Sequence, residues 1–207
     1  MPNLEPFYDT FEWVIRNTWP MLVLFIVILF VLRITKLFIN HEEFIFYKDF
    51  YQLLFILYTL LLYYMLLSTE GATSGVNIVP FREILRFPFM SRGFIYNVIG
   101  NIALFIPFGY FVSDYLKAHK IRHIFVTALV ISLTAEVIQY KIGRAFDVDD
   151  LLLNVIGAIL GFLTYRFIQF IKEKLPSFLK NNIFYNILAF IVLGIISFVL
   201  GRMWGLV

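Results

Sequence analysis

The 207-residue chain is 61% hydrophobic and 15% charged, with a mean hydropathy of +0.85 and a formal net charge of +3. Soluble domains average about half apolar and a quarter charged residues, so this composition excludes the soluble globular class and points to an integral membrane protein. Cysteine is absent, which excludes disulfides, thiolate metal sites and a cysteine nucleophile, and the scattered basic residues form no nucleic-acid-binding stripe.

The first twenty residues, MPNLEPFYDTFEWVIRNTWP, lack the basic n-region and small-residue cleavage site of a secretory signal, so the segment is expected to be retained. Its aromatics, Phe7, Tyr8, Phe11, Trp13 and Trp19, predict an interfacial segment along the bilayer surface. Six stretches then approach the roughly 20 apolar residues that a spanning helix needs. They are Trp19–Phe38, Phe50–Leu67, Tyr96–Val112, Ile124–Tyr140, Leu151–Phe170 and Ile183–Leu200. The fold class is therefore all-α: a polytopic membrane helix bundle of about six transmembrane helices, read as a single integral membrane domain over 1–207.

Between the second and third spans lies a polar-aromatic loop, Ser68–Arg92. Within its run GVNIVPFREILRFPF, Asn77 and Pro80 predict a turn into a short amphipathic, interfacial segment. Phe81, Leu85 and Phe89 are expected to enter the bilayer while Arg82 and Arg86 face polar neighbours. In the third span, Pro107 and Gly109 mark either a broken helix or an ordinary kink.

Alternate loops give the orientation. Arg33, Lys36, Lys48, Lys117, Lys120, Arg122, Arg166, Lys172, Lys174 and Lys180 fall on one side, against Arg16, Arg82, Arg86, Arg92, Lys141, Arg144 and Arg202 on the other. The positive-inside rule then puts both termini outside. Arg82, Arg86 and Arg92 oppose the rule, which suggests either anion recognition or pairing with lipid phosphates.

With that topology, polar residues from three helices converge near the outer side. Asn97 and Asn101 are four residues apart and share a face; Glu136 and Gln139 share another, which Ser132 continues one turn deeper. Gly143 is expected to stop the fourth span and Asp147 to cap the fifth. Asp150, Asn154, Gly157 and Gly161 continue down one stripe, the glycines serving close helix packing. Ionisable residues at membrane depth are functional candidates by default. Glu136 calls for a cation partner, from Arg144, Arg82 or Arg86, or for a role as an acid. Asp147, Asp149 and Asp150 exceed what capping needs; as oxygen donors they are metal-ligand candidates without a known partner spacing.

Four ordered motifs make a family visible. They are NIVPF at Asn77–Phe81, NVIGNIALFIPFG at Asn97–Gly109, SLTAEVIQ at Ser132–Gln139 and GRAFDVDDLLLNVIGAILG at Gly143–Gly161. Together the region 77–161 resembles the VanZ-like family of bacterial membrane proteins, named for an accessory protein of low-level teicoplanin resistance. The resemblance implies a multi-pass protein of the bacterial cytoplasmic membrane with its motif loops on the extracellular side. Carried onto this chain, it marks Asn77, Pro80, Phe81, Asn97, Asn101, Pro107, Phe108, Gly109, Glu136, Gln139, Asp147, Asp150, Asn154 and Gly157.

Three function classes follow. In the first, an envelope protein binds an anionic lipid or cell-wall precursor headgroup through Asn77, Arg82, Arg86, Asn97, Asn101, Glu136, Gln139, Arg144, Asp147, Asp150 and Asn154. In the second, a membrane enzyme acts on a lipid-linked substrate with Glu136 or Asp150 as general acid or base; no HExxH, GxSxG or P-loop accompanies them. The third is a transporter or scaffold. No cofactor is called for, and the expected partners are membrane lipids rather than nucleic acid.

Overall fold

Backbone amides in hydrocarbon find no water to bond, so long apolar runs satisfy them internally as helices. In the computed structural model, which describes residues 5–67 and 75–205 with side chains from residue 12 onward, the result is helical apart from one short strand pairing. The order is α1 (Glu5–Asn40), α2 (Phe46–Leu67), β1 (Val76–Asn77), α3 (Arg82–Arg86), α4 (Arg92–Phe94), a π-helical turn (Ile95–Ile99), α5 (Gly100–Leu116), α6 (Ile121–Lys141), β2 (Phe146–Asp147), α7 (Val148–Lys174) and α8 (Asn182–Met203). Among the described residues, six helical stretches are long and apolar enough to cross a membrane: Glu12–Asn40, Phe46–Leu67, Arg92–Leu116, Ile121–Lys141, Val148–Lys174 and Asn182–Met203. All six expected spans are present, and the protein is a multi-pass membrane protein.

Two boundaries differ from expectation. The N-terminal segment is not separate from the first span; α1 is continuous from Glu5 through Pro20 to Asn40. Proline lacks only its own N–H bond to the preceding turn, and the apolar run on its far side carries the helix onward. The side chains of Phe7, Tyr8 and Phe11 lie outside the described residues, as does the loop stretch 68–74. The third span is also unbroken at Pro107, which sits inside α5. Its irregularity is the π turn, which joins α4 to α5 and makes one helical span of Arg92–Leu116.

The chain divides into two compact units. In the one formed by Glu12–Leu60 and Ile171–Val207, the turn after α1 is held by ion pairs of Arg33 with Glu42 and Asp49, the latter at 2.7 Å. Hydrogen bonds from Arg33 and Lys36 hold the Glu42 carboxyl below its usual range. Phe46 stacks on Phe190 at 4.3 Å, and the Tyr47 N–H donates to Asn186 Oδ1 at 2.9 Å.

The other unit, built mainly of Leu61–Phe170, carries the motifs. Helices α5 and α7 run parallel and meet through small residues. A Cβ on Gly157 would meet the Ile102 carbonyl oxygen, one on Gly161 that of Ile106, and one on Gly109 that of Ala158. Between lipid-solvated helices there is little hydrophobic gain in association, so such close backbone packing supplies the attraction. Phe105, Ile124, Ala128 and Ala158 are fully buried in this core. Helix α6 packs antiparallel to α7, and Gly143 at φ 92° supplies the left-handed turn that ends it.

Candidate functional site

The motif loops meet where α6 ends and α7 begins. The loop before α3 lies parallel to the α6–α7 connection, with Val76 opposite Phe146, Asn77 opposite Asp147, and Phe146 N–H donating to Gly75 O at 3.0 Å. This pairing joins segments seventy residues apart in sequence.

Asp147 caps α7 as expected, its Oδ1 accepting the Asp149 N–H at 2.8 Å and also the Asn77 amide at 2.9 Å. Its own N–H donates to Glu136 Oε2 at 2.9 Å, which ties the end of α6 to the start of α7. Burial pushes the Asp147 carboxyl above its ordinary range, against the opposing pull of the Asp149 N–H and Asn77 hydrogen bonds.

Asp149 has a role that sequence reading did not find. Its carboxylate, 1% exposed, accepts the Phe81 N–H at Oδ1 (2.5 Å) and the Glu83 and Ile84 N–H groups at Oδ2 (2.7 and 3.2 Å). Those are the orphan donors at the start of α3, so a side chain of α7 caps a helix nearly seventy residues earlier. Phe81 itself is held left-handed at φ 67°. The spacing of Asp149 from Asp147 resembles an ordinary first-turn acid, and nothing local signals its distant partner.

Asp150 accepts from the Asn101 amide at 2.5 Å, linking α7 to α5. One turn deeper, the Asn154 amide donates to Ser132 Oγ at 2.9 Å, linking α7 to α6; Asn154 Oδ1 is buried and has no hydrogen-bond partner among the described residues. Gln139 Nε2 and Arg144 Nη1 both donate to the carbonyl of Leu66, at 2.7 and 3.0 Å. They satisfy a C-terminal carbonyl of α2, where a cation also complements the helix dipole.

The three aspartates thus have three separate acceptor tasks: capping α7, capping α3 and holding α5. Among the described residues, no group of three or more His, Cys, Asp or Glu side chains is arranged to hold a metal ion.

Asn97 stands apart from the cluster. It lies in the π turn, is exposed, and donates back to Gly93 O at 2.9 Å. One extra residue in a turn offsets the faces before and after it by roughly 100°, so the four-residue spacing from Asn101 no longer aligns the two amides. Arg82 and Arg86 do not turn toward Glu136 either. Both are exposed; Arg86 pairs with Glu83 of its own helix at 3.0 Å. Phe81, Leu85 and Phe89 flank them, exposed by 58, 80 and 77%. The arrangement is a platform: α3 is fastened by a buried carboxylate and leaves guanidinium groups and apolar side chains exposed.

These features define a class, a multi-pass helical membrane protein whose discontinuous polar motifs close one end of a small-residue-packed helix core. More particularly, the chain belongs to the VanZ/LLP1 family, whose model matches residues 50–169 and so encloses the whole motif region. It is 36% identical over 86 residues to Protein VanZ of Enterococcus faecium, an alignment covering 41% of this chain and 53% of that protein. The match thus spans about half the length of that relative. No solved structure matches the chain.

Proposed function

We propose that the protein binds an anionic lipid or cell-wall precursor headgroup at the outer leaflet of the bacterial cytoplasmic membrane, and thereby contributes to resistance against teicoplanin-type glycopeptides. One observation carries this reading: Arg82 and Arg86 are exposed on a short helix anchored by Asp149, among exposed Phe81, Leu85 and Phe89. Arginine's planar fork suits phosphate and carboxylate oxygens, and the aromatic side chains would seat the helix at headgroup depth. The polar residues beneath are committed to capping and to joining helices, so they serve as the rigid base of the platform.

The test is binding of the full chain to vesicles of phosphatidylglycerol or of phosphatidylcholine alone, together with teicoplanin susceptibility of bacteria expressing it. Wild type should prefer the anionic vesicles, and Arg82→Ala/Arg86→Ala should lose that preference and lower resistance. Equal binding to both vesicles together with unchanged susceptibility of the variant would sink the proposal.

A second reading is a membrane enzyme using Glu136 or Asp150 as acid or base. It draws support from their placement on neighbouring helices, with Asp150 oriented by Asn101 and Glu136 by the Asp147 N–H. Turnover of a lipid-linked substrate that disappears in Glu136→Gln would favour it. A transporter or scaffold is the third reading, and α5 runs through Pro107 without a break.

A further inference from the structure

We infer that the corner between α5 and α6, at the other end of α6 from the motif cluster, is a separate site for the headgroup of an anionic phospholipid. A cavity of about 730 Å³ opens there, lined among others by Leu116, Lys117, His119, Lys120, Arg122 and His123. Arg166 of α7 closes on the same corner, its Nη1 3.5 Å from His119 Nδ1. Asp114 is also present and is ion-paired with Lys117 at 3.0 Å, which leaves Lys120, Arg122 and Arg166 as exposed positive charge.

The helix start at this corner runs against ordinary electrostatics. Acids favour a helix N-terminus, yet α6 has none in its first turn; Lys120 occupies the cap position and makes no side-chain capping bond, and Arg122 and His123 follow. Cations crowd the positive end of a dipole, and an anion would relieve both. The walls decide which anion. Leu116 and Val126, both exposed apolar residues, line the cavity beside the charges. A phosphate carried on acyl chains fits that mixed surface at a membrane boundary better than a free ion does. Helix α6 has 21 residues, so the site lies about 30 Å from the motif cluster, near the thickness of a bilayer core. The two sites therefore face different leaflets.

The experiment uses the full chain in detergent micelles carrying Arg82→Gln/Arg86→Gln, so that failure here and failure of the proposed function are read separately. Binding of acyl-labelled phosphatidylglycerol is measured, with phosphatidylcholine or inorganic phosphate as competitors. This background should keep a saturable site, and adding Lys120→Gln/Arg122→Gln/His123→Gln should weaken it by about tenfold or more. The charge-preserving Lys120→Arg/Arg122→Lys should stay within about twofold of the background, because each basic residue near the surface contributes through its charge. If the triple variant elutes as aggregate, Arg122→Gln alone replaces it, with a loss of about fivefold expected. The inference is overturned if the background shows no saturable site, if the neutralised variant binds unchanged, if phosphatidylcholine competes equally, or if inorganic phosphate displaces the lipid as a free-anion site would.

Discussion

Replacing Asp149 with alanine tests the anchoring of the α3 platform most sharply. The carboxylate accepts three backbone N–H groups, and hydrogen bonds to a charged group contribute roughly 1.5–3 kcal/mol each. Their sum would be about 5–9 kcal/mol if nothing took their place, but the N–H groups are only part-buried and water recovers some of it. A local loss of about 3 kcal/mol is therefore expected, equivalent to roughly a 150-fold shift in the opening equilibrium of α3. Hydrogen exchange by mass spectrometry in nanodiscs reads this directly, as faster exchange across 81–86 while the α5 core around Phe105 is unchanged. Asp149→Asn keeps one acceptor oxygen but turns an amide donor toward the same N–H groups, so it should lie between alanine and wild type. Exchange at 81–86 within about threefold of wild type in Asp149→Ala would refute the capping argument.

Gly157→Ala and Gly161→Ala should destabilise by about 1–3 kcal/mol each, because the added methyl meets backbone carbonyls of α5 that cannot swing away. Gly194→Ala in α8, with open space around it, should be neutral or stabilising by up to about 1 kcal/mol; thermal unfolding in detergent compares the three. Asp147→Asn keeps both acceptor contacts but removes a titration. The folded-state pKa of Asp147 is raised, so its contribution is fully present below the unfolded value of 3.8 and is lost as pH rises through the folded value. As pH rises above 3.8, melting temperatures should therefore fall less steeply for the variant than for wild type. Ser132 and Asn154 should couple by only about 0.6 kcal/mol in a double-mutant cycle, the usual worth of such a bond in a membrane; coupling above about 2 kcal/mol would contradict a simple interhelical link.

The spans were legible because hydropathy over some twenty residues is a strong, local signal, and so were Gly143 as a stop, Asp147 as a cap and Gly157 and Gly161 as packing residues. What escaped depends on contacts between distant segments. Asp149 reads as one more acid in a helix's first turn, and only the folded chain brings it under Phe81, Glu83 and Ile84. Gln139 and Arg144 share the Leu66 carbonyl across more than seventy residues of sequence, which no periodicity announces. The β1–β2 pairing has two residues in each strand, too few for an alternating pattern to register. The π turn at Ile95–Ile99 contains no proline or glycine to mark it, so the displacement of Asn97 from the Asn101 face was invisible to helical spacing. At Pro107 the sequence left a break or an ordinary kink open; a proline removes one hydrogen bond, and the helix continues through it with α5 packed on α7.

Single-cysteine labelling in intact cells tests the central claim most directly, since the chain contains no cysteine of its own. Val79→Cys and Lys141→Cys, both exposed near the motif cluster, should react with a membrane-impermeant maleimide from outside, and His119→Cys at the far end of α6 should react only after permeabilisation. Protection of positions 79 and 141 in intact cells, or labelling of those two from opposite sides, would contradict an outward-facing platform built from the converging motifs.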